Sequence, residues 1–130
     1  MAQQLPTHIQ PYAADFHWDN TKLWMLDIPT VGMPIDELLW HLDIPWLHTE
    51  GERFNLTPHE IMSSPEKYKE QHDRTMRSDL DYPIDIIYNN GRWLILDGLH
   101  RLMKSVALGK SSVEVRKISR DLIPQIEIKE

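Results

Sequence analysis

Asp97, Gly98, His100 and Arg101 stand together in the run Asp97-Gly98-Leu99-His100-Arg101, and their order at the start of an apolar-periodic segment is what gives them chemical interest. The first turn of a helix carries unpaired backbone N–H groups and a partial positive charge, so cationic side chains are disfavoured there unless an anion compensates them. His100 and Arg101 occupy that turn. A phosphate bound at this point would satisfy the N–H groups, with Gly98 permitting close backbone approach and Arg101 offering paired donors. Asp97 can cap the helix, hold a metal-bound water or orient a substrate hydroxyl. On residue types alone an ordinary reading is equally open: a capping turn at Asp97-Gly98, a surface His100, and an Arg101 paired with a nearby carboxylate.

A second carboxylate with a defined local setting is Glu60. In Thr57-Pro58-His59-Glu60, Thr57 is suited to the N-cap, Pro58 to the first helical position and Glu60 to the return bond of a capping box. Other apparent motifs fail on spacing. Leu108-Gly109-Lys110-Ser111 ends like a phosphate-binding P-loop, but its leading glycine would fall at Lys104. His59-Glu60 lacks the second histidine of a zinc protease, which would fall at Ser63. The 7 histidines lack ligand spacing, and with 0 cysteines there is no disulfide, thiolate metal site or cysteine nucleophile.

The elements that must position these residues follow from periodicity. Ile84–Tyr88 and Arg92–Leu96 flank Asn89-Asn90-Gly91, a turn signal favouring positive φ, and so predict a hairpin. After Asp97-Gly98 the pattern becomes helical, with Leu99, Leu102, Met103, Val106 and Ala107 on one face and Gly109 as terminator. A strand is expected at 113–118. Upstream, Leu23–Ile28 predicts a strand ending at Pro29. Ile35, Leu38, Leu39 and Leu42 predict a helix opened by Pro34 and closed by Pro45. Helix starts are expected at Thr57 and again at Ser64-Pro65, the latter leading a charged surface helix to about Leu80 with a stripe of Tyr68, Met76 and Leu80. Residues 1–22 are expected to form an extended arm held by Phe16 and Trp18, and 23–130 a single α/β domain. Trp40, Trp46 and Trp93 are expected in the core or a pocket wall.

The 130 residues, 41% of them hydrophobic, suffice for one ordinary core. No apolar run approaches a membrane span, and Met1-Ala2-Gln3-Gln4 has neither the basic nor the apolar part of a signal peptide, so no membrane association and a cytoplasmic location are expected. A net charge of −6 disfavours a general nucleic-acid binder. Yet Arg101, Lys104, Lys110, Arg116, Lys117 and Arg120 stand against only Glu114 between positions 100 and 120, a local excess that suits a phosphate-bearing ligand.

The run Leu94–Leu102, followed by Leu108-Gly109 and a strand, resembles the ParB/sulfiredoxin-like superfamily, in which a strand leads into a D-G-x-H-R-like turn that binds nucleotide phosphates. Pro58-His59-Glu60 extends the likeness to the ParB-like free serine kinases, whose turn reads D-G-H-H-R and which carry an upstream P-H-E. The resemblance covers roughly positions 50–118 and implies a mixed sheet with surrounding helices. It further implies ATP or ADP as nucleotide, with Mg²⁺. The roles it implies are Glu60 as base toward a small hydroxyl substrate such as free serine, Asp97 as organiser of the site, and Gly98, His100 and Arg101 as the phosphate contacts. Leu99 stands where sulfiredoxins carry their catalytic cysteine, which excludes that reductase chemistry. Three functions are thereby open: a nucleotide-dependent phosphotransferase; a non-catalytic nucleotide-sensing module that engages a protein partner through the 68–80 helix; and a DNA-associated ParB-like or nuclease-like domain, which the acidic balance disfavours.

Overall fold

The computed structural model describes residues 5–49 and 52–128. Its centre is a four-stranded mixed sheet in the order β1-β6-β4-β5, built from β1 (Thr30–Pro34), β4 (Ile84–Asn89), β5 (Arg92–Asp97) and β6 (Ser112–Ile118). The β4–β6 pairing is parallel and the outer two are antiparallel. A separate antiparallel pair joins β2 (Leu47–Thr49) to β3 (Glu52–Leu56). Helices α1 (Asn20–Trp24), α2 (Pro58–Ser63), α3 (Lys69–Arg77), α4 (Leu99–Ala107) and α5 (Ile123–Ile126) complete a mixed α/β fold, with a 3₁₀ segment at Ile35–Asp43.

The hairpin, helix and strand expected from 84 onward form as predicted. Asn90 and Gly91 both take positive φ, 50° and 82°, the backbone of a two-residue turn whose twist matches the strands. Gly109, with φ 73°, follows α4 as a left-handed terminator. Helix α4 sets Leu102 and Met103 fully inside, although Ala107, assigned to the same face, is exposed. β4 is inaccessible at Ile84, Asp85, Ile86 and Ile87 in succession. A central strand buried on both faces has a core on each side of the sheet. One contains Leu38, Leu56, Ile61, Ile86, Leu102 and Met103, the other Phe16, Leu23, Ile87, Leu96, Ile118 and Ile126.

Four expectations upstream are corrected. Leu23–Ile28 is not a strand: Asp19 accepts the Thr21 N–H at 2.8 Å and opens α1, so a local cap overrides a short apolar run, and the strand comes after Pro29. The boundary placed after position 22 thus falls inside that helix. Residues before it are not an extended arm; successive turns run from Thr7 to Ala13, and Ile9 and Phe16 are buried.

The segment after Pro34 is a 3₁₀ helix, in which residues three apart eclipse each other. Its inward line is therefore Ile35, Leu38 and His41, joined by Leu42. His41 is 1% exposed. Its Nδ1–H donates to Leu38 O at 2.8 Å and its Nε2 accepts the Ile95 N–H at 3.0 Å, while the neighbouring Trp40 Nε1–H donates to Trp93 O at 3.1 Å. Both contacts fall on the outer margin of β5, the last strand of the sheet.

The charged helix starts at Lys69 and ends at Arg77, not at Ser64 and Leu80, because 65–68 make turns and Ser78 leaves the helix for extended backbone. Its buried residue is Thr75, with Met76 at the surface. The face that meets α4 carries Gln71 and Thr75, and Thr75 lies against Met103.

Candidate functional site

The turn from β5 into α4 is built around Gly98, whose φ of 117° is closed to ordinary side chains. A β-carbon there would also lie 3.2 Å from both γ-carbons of Ile84 on the neighbouring strand. Gly98 is the N-cap and supplies no side chain, so α4 begins without a side-chain cap. Leu102 N–H already bonds Gly98 O at 3.0 Å, as the helix requires. The preceding first-turn N–H groups belong to Leu99, His100 and Arg101, and these residues line a cavity of about 280 Å³. His41 and Trp46 form part of its other wall. Trp46 is pinned there by a 3.0 Å bond from Nε1–H to His41 O.

Asp97 does not cap the helix. Its Oδ2 accepts two bonds, from Arg101 Nη2 at 2.8 Å and from Trp24 Nε1 at 2.9 Å. The Arg101 guanidinium is turned inward, donating also through Nη1 to Pro83 O. The side chains of Arg101 and Asp97 are only 17% and 22% exposed, so the ion pair is partly desolvated and each partner neutralises the other. Arg101 thus reaches the cavity as half of a pair and not as a lone positive charge.

His100 packs against α3, with Nε2 3.0 Å from Gln71 Oε1. Burial, and secondarily the charge of Arg74, lowers its pKa from the ordinary 6.5 to about 4. It is therefore a neutral imidazole at pH 7, its one N–H donated from Nε2 to Gln71 Oε1, and it contributes no net charge. His41 is lowered likewise to about 4, by burial first and then by Arg92. The electropositive character of the cavity at neutral pH therefore comes from the helix terminus.

Glu60 takes the structural role legible in the sequence. Its Oε1 accepts from Thr57 N and Thr57 Oγ1, both at 3.0 Å, and its own N–H donates to Thr57 Oγ1 at 3.1 Å. α2 touches α4, but Glu60 is exposed and does not line the cavity at Gly98. His59 is held at the surface by Asp43, Nδ1 to Oδ1 2.6 Å. The turn therefore brings Asp97, Gly98, His100 and Arg101 together, with Glu60 apart from them. Sequence reasoning missed Trp24 and His41, and for His41 the signal was a period of three. For Trp24 no local signal existed, since it meets Asp97 across 73 positions. Among the described residues no group of three or more His, Asp or Glu is placed to hold a metal ion.

No protein-family model and no curated protein matches the chain. Among solved structures it is similar to sulfiredoxin from Arabidopsis thaliana, with 22% sequence identity, a TM-score of 0.35, and coverage of 74% of this chain and 93% of that one.

Proposed function

We propose that this chain is a nucleotide-binding domain that holds the phosphates of ATP or ADP at the start of α4. The observation that carries the reading is a cavity opening on a helix N-terminus that has no side-chain cap and is entered through a glycine at φ 117°. Oriented backbone N–H groups and the helix dipole favour an anion there. Ligand cavities usually measure roughly 300–1,000 Å³, so about 280 Å³ suits the phosphate portion, with the nucleoside beyond it and Mg²⁺ carried on the phosphates. The Asp97–Arg101 pair stiffens the turn, and the neutral His100, its one N–H given to Gln71, packs α4 against α3.

A phosphoryl-transfer step to a hydroxyl such as that of free serine is the finer form of this reading, and it requires the Glu60 carboxylate beside the substrate. Glu60 closes a capping box outside the cavity. The geometry therefore favours binding without transfer.

Calorimetric titration with ADP and ATP, with and without Mg²⁺, tests the proposal against a Leu99→Asp variant. A carboxylate in the first turn suits the helix dipole but competes with a bound phosphate. Saturable binding by the wild type and at least about tenfold weaker binding by a folded variant, a loss of about 1.4 kcal/mol, are expected. No binding by the wild type, or equal binding by both, would overturn the assignment.

A further inference from the structure

A second cavity, of about 510 Å³, adjoins the one at the start of α4, and the two share Asp97 and Arg101 as lining residues. Asp85 and Arg116 line it as well, and so do two large rings that folding leaves in solvent, Trp24 at 57% and Tyr82 at 65% exposure. Trp24 is nevertheless fixed in place, because its indole N–H is bonded to Asp97, the residue that leads into the Gly98 turn.

The charges of this lining cancel. Arg101 pairs with Asp97 at 2.8 Å and Arg116 with Asp85 at 2.6 Å, so two arginines are matched by two aspartates and the wall is formally neutral. The second pair also ties down the helix that carries Trp24: Arg116 Nη1 donates to Leu26 O at 2.7 Å and Nη2 to Leu23 O at 3.0 Å, which holds the end of α1 against β6. A neutral wall selects for neither sign of charge, whereas exposed rings held in position favour a flat ligand with a π-face of its own. The adjoining cavity has the other character, smaller and electropositive through the helix terminus. An electropositive recess beside a neutral, aromatic one matches the two halves of a nucleotide.

We infer that the second cavity takes the base of the nucleotide whose phosphates lie at the start of α4, with the base stacked against Tyr82 and Trp24. The inference rests on the nucleotide reading and assigns the other end of the same ligand. Its volume falls within the roughly 300–1,000 Å³ typical of small-molecule sites. Because every base has a π-face, stacking on aromatic side chains is tolerant of base identity. The site therefore separates nucleotides from bare polyphosphates more than one nucleotide from another.

ADP and inorganic pyrophosphate share a diphosphate and differ in the nucleoside, so both are titrated by calorimetry against the wild type, Tyr82→Ala and Tyr82→Phe. The wild type is expected to bind ADP more tightly than pyrophosphate. Tyr82→Ala, which removes an exposed ring and leaves the melting temperature unchanged, weakens ADP at least fivefold and pyrophosphate not at all. Tyr82→Phe keeps the ring and binds ADP as the wild type does. The base site is overturned, with the phosphate site left standing, if Tyr82→Ala binds ADP as tightly as the wild type, if it loses pyrophosphate equally, or if Tyr82→Phe is as weak as Tyr82→Ala. Binding of neither ligand by the wild type removes both sites.

Discussion

Gly98 answers to two independent demands, a left-handed φ and a missing β-carbon beside Ile84. Gly98→Ala should lower stability by about 1–3 kcal/mol from the backbone conformation alone, with the Ile84 contact adding to it, and urea unfolding measures the sum. A variant as stable as the wild type would show that the turn relaxes freely. This residue was legible beforehand because its reason is local: a glycine between an apolar strand and a helical stripe. The partners of Asp97 and Arg116 were not. Trp24 reaches Asp97 over 73 positions, and Arg116 reaches the carbonyls of Leu26 and Leu23 over 90 and 93. The ordinary reading of Arg101, paired with a carboxylate, is present in the structure. Its partner is the aspartate four residues earlier, at helical spacing.

At the scale of elements, α2 offers a clean separation of capping from chemistry. Thr57→Ala removes the acceptor for the Glu60 N–H and should cost about 1 kcal/mol, read as a lower midpoint in chemical denaturation. Glu60→Gln preserves an acceptor for the Thr57 N–H and should leave that midpoint near the wild-type value. If Glu60→Gln instead destabilises as much as Thr57→Ala, the carboxylate charge has a role beyond the box. Cap signals proved dependable at Thr57, where a side chain closes the bond. They misled at Ser64-Pro65, where the chain turns through 65–68 before α3 begins with no side-chain cap. The 3₁₀ segment shows a different failure. A period of 3.6 groups Leu39 and Leu42 with Ile35, whereas three residues per turn put His41 in line with Ile35 and Leu38.

For the whole molecule, the two depressed histidines predict an acid-sensitive fold. Both His41 and His100 have folded values near 4 against an ordinary 6.5, so the unfolded chain binds more protons in between. Stability should be complete above the unfolded value, fall as the pH drops toward the folded value, and show no further loss from these groups below it. The slope is at most about 1.4 kcal/mol per pH unit for each histidine, with His41 giving the fuller share because His100 is only half-buried. Urea midpoints between pH 7 and pH 4 check this, and a flat profile would contradict it. The central unit of hairpin, α4 and β6 could be assembled from the sequence because its apolar runs are short, its turn residues mark their ends, and β5 and β6 alternate. The second core, which Phe16 and Leu23 help to build from a bend and a five-residue helix, could not.

His41 has a further bearing on that titration. Trp40 and His41 occupy the Trp93 carbonyl and the Ile95 amide, the backbone groups that a fifth strand would otherwise claim on β5. Only the neutral imidazole can accept at Nε2; a proton there sets two donors against each other. Acid therefore does more than weaken the fold, because it unlatches a guard over an open strand border that can template a strand from another molecule. In the same pH series, light scattering should rise as the urea midpoint falls, so that acid unfolding ends in intermolecular β-assembly and not only in dispersed unfolded chains.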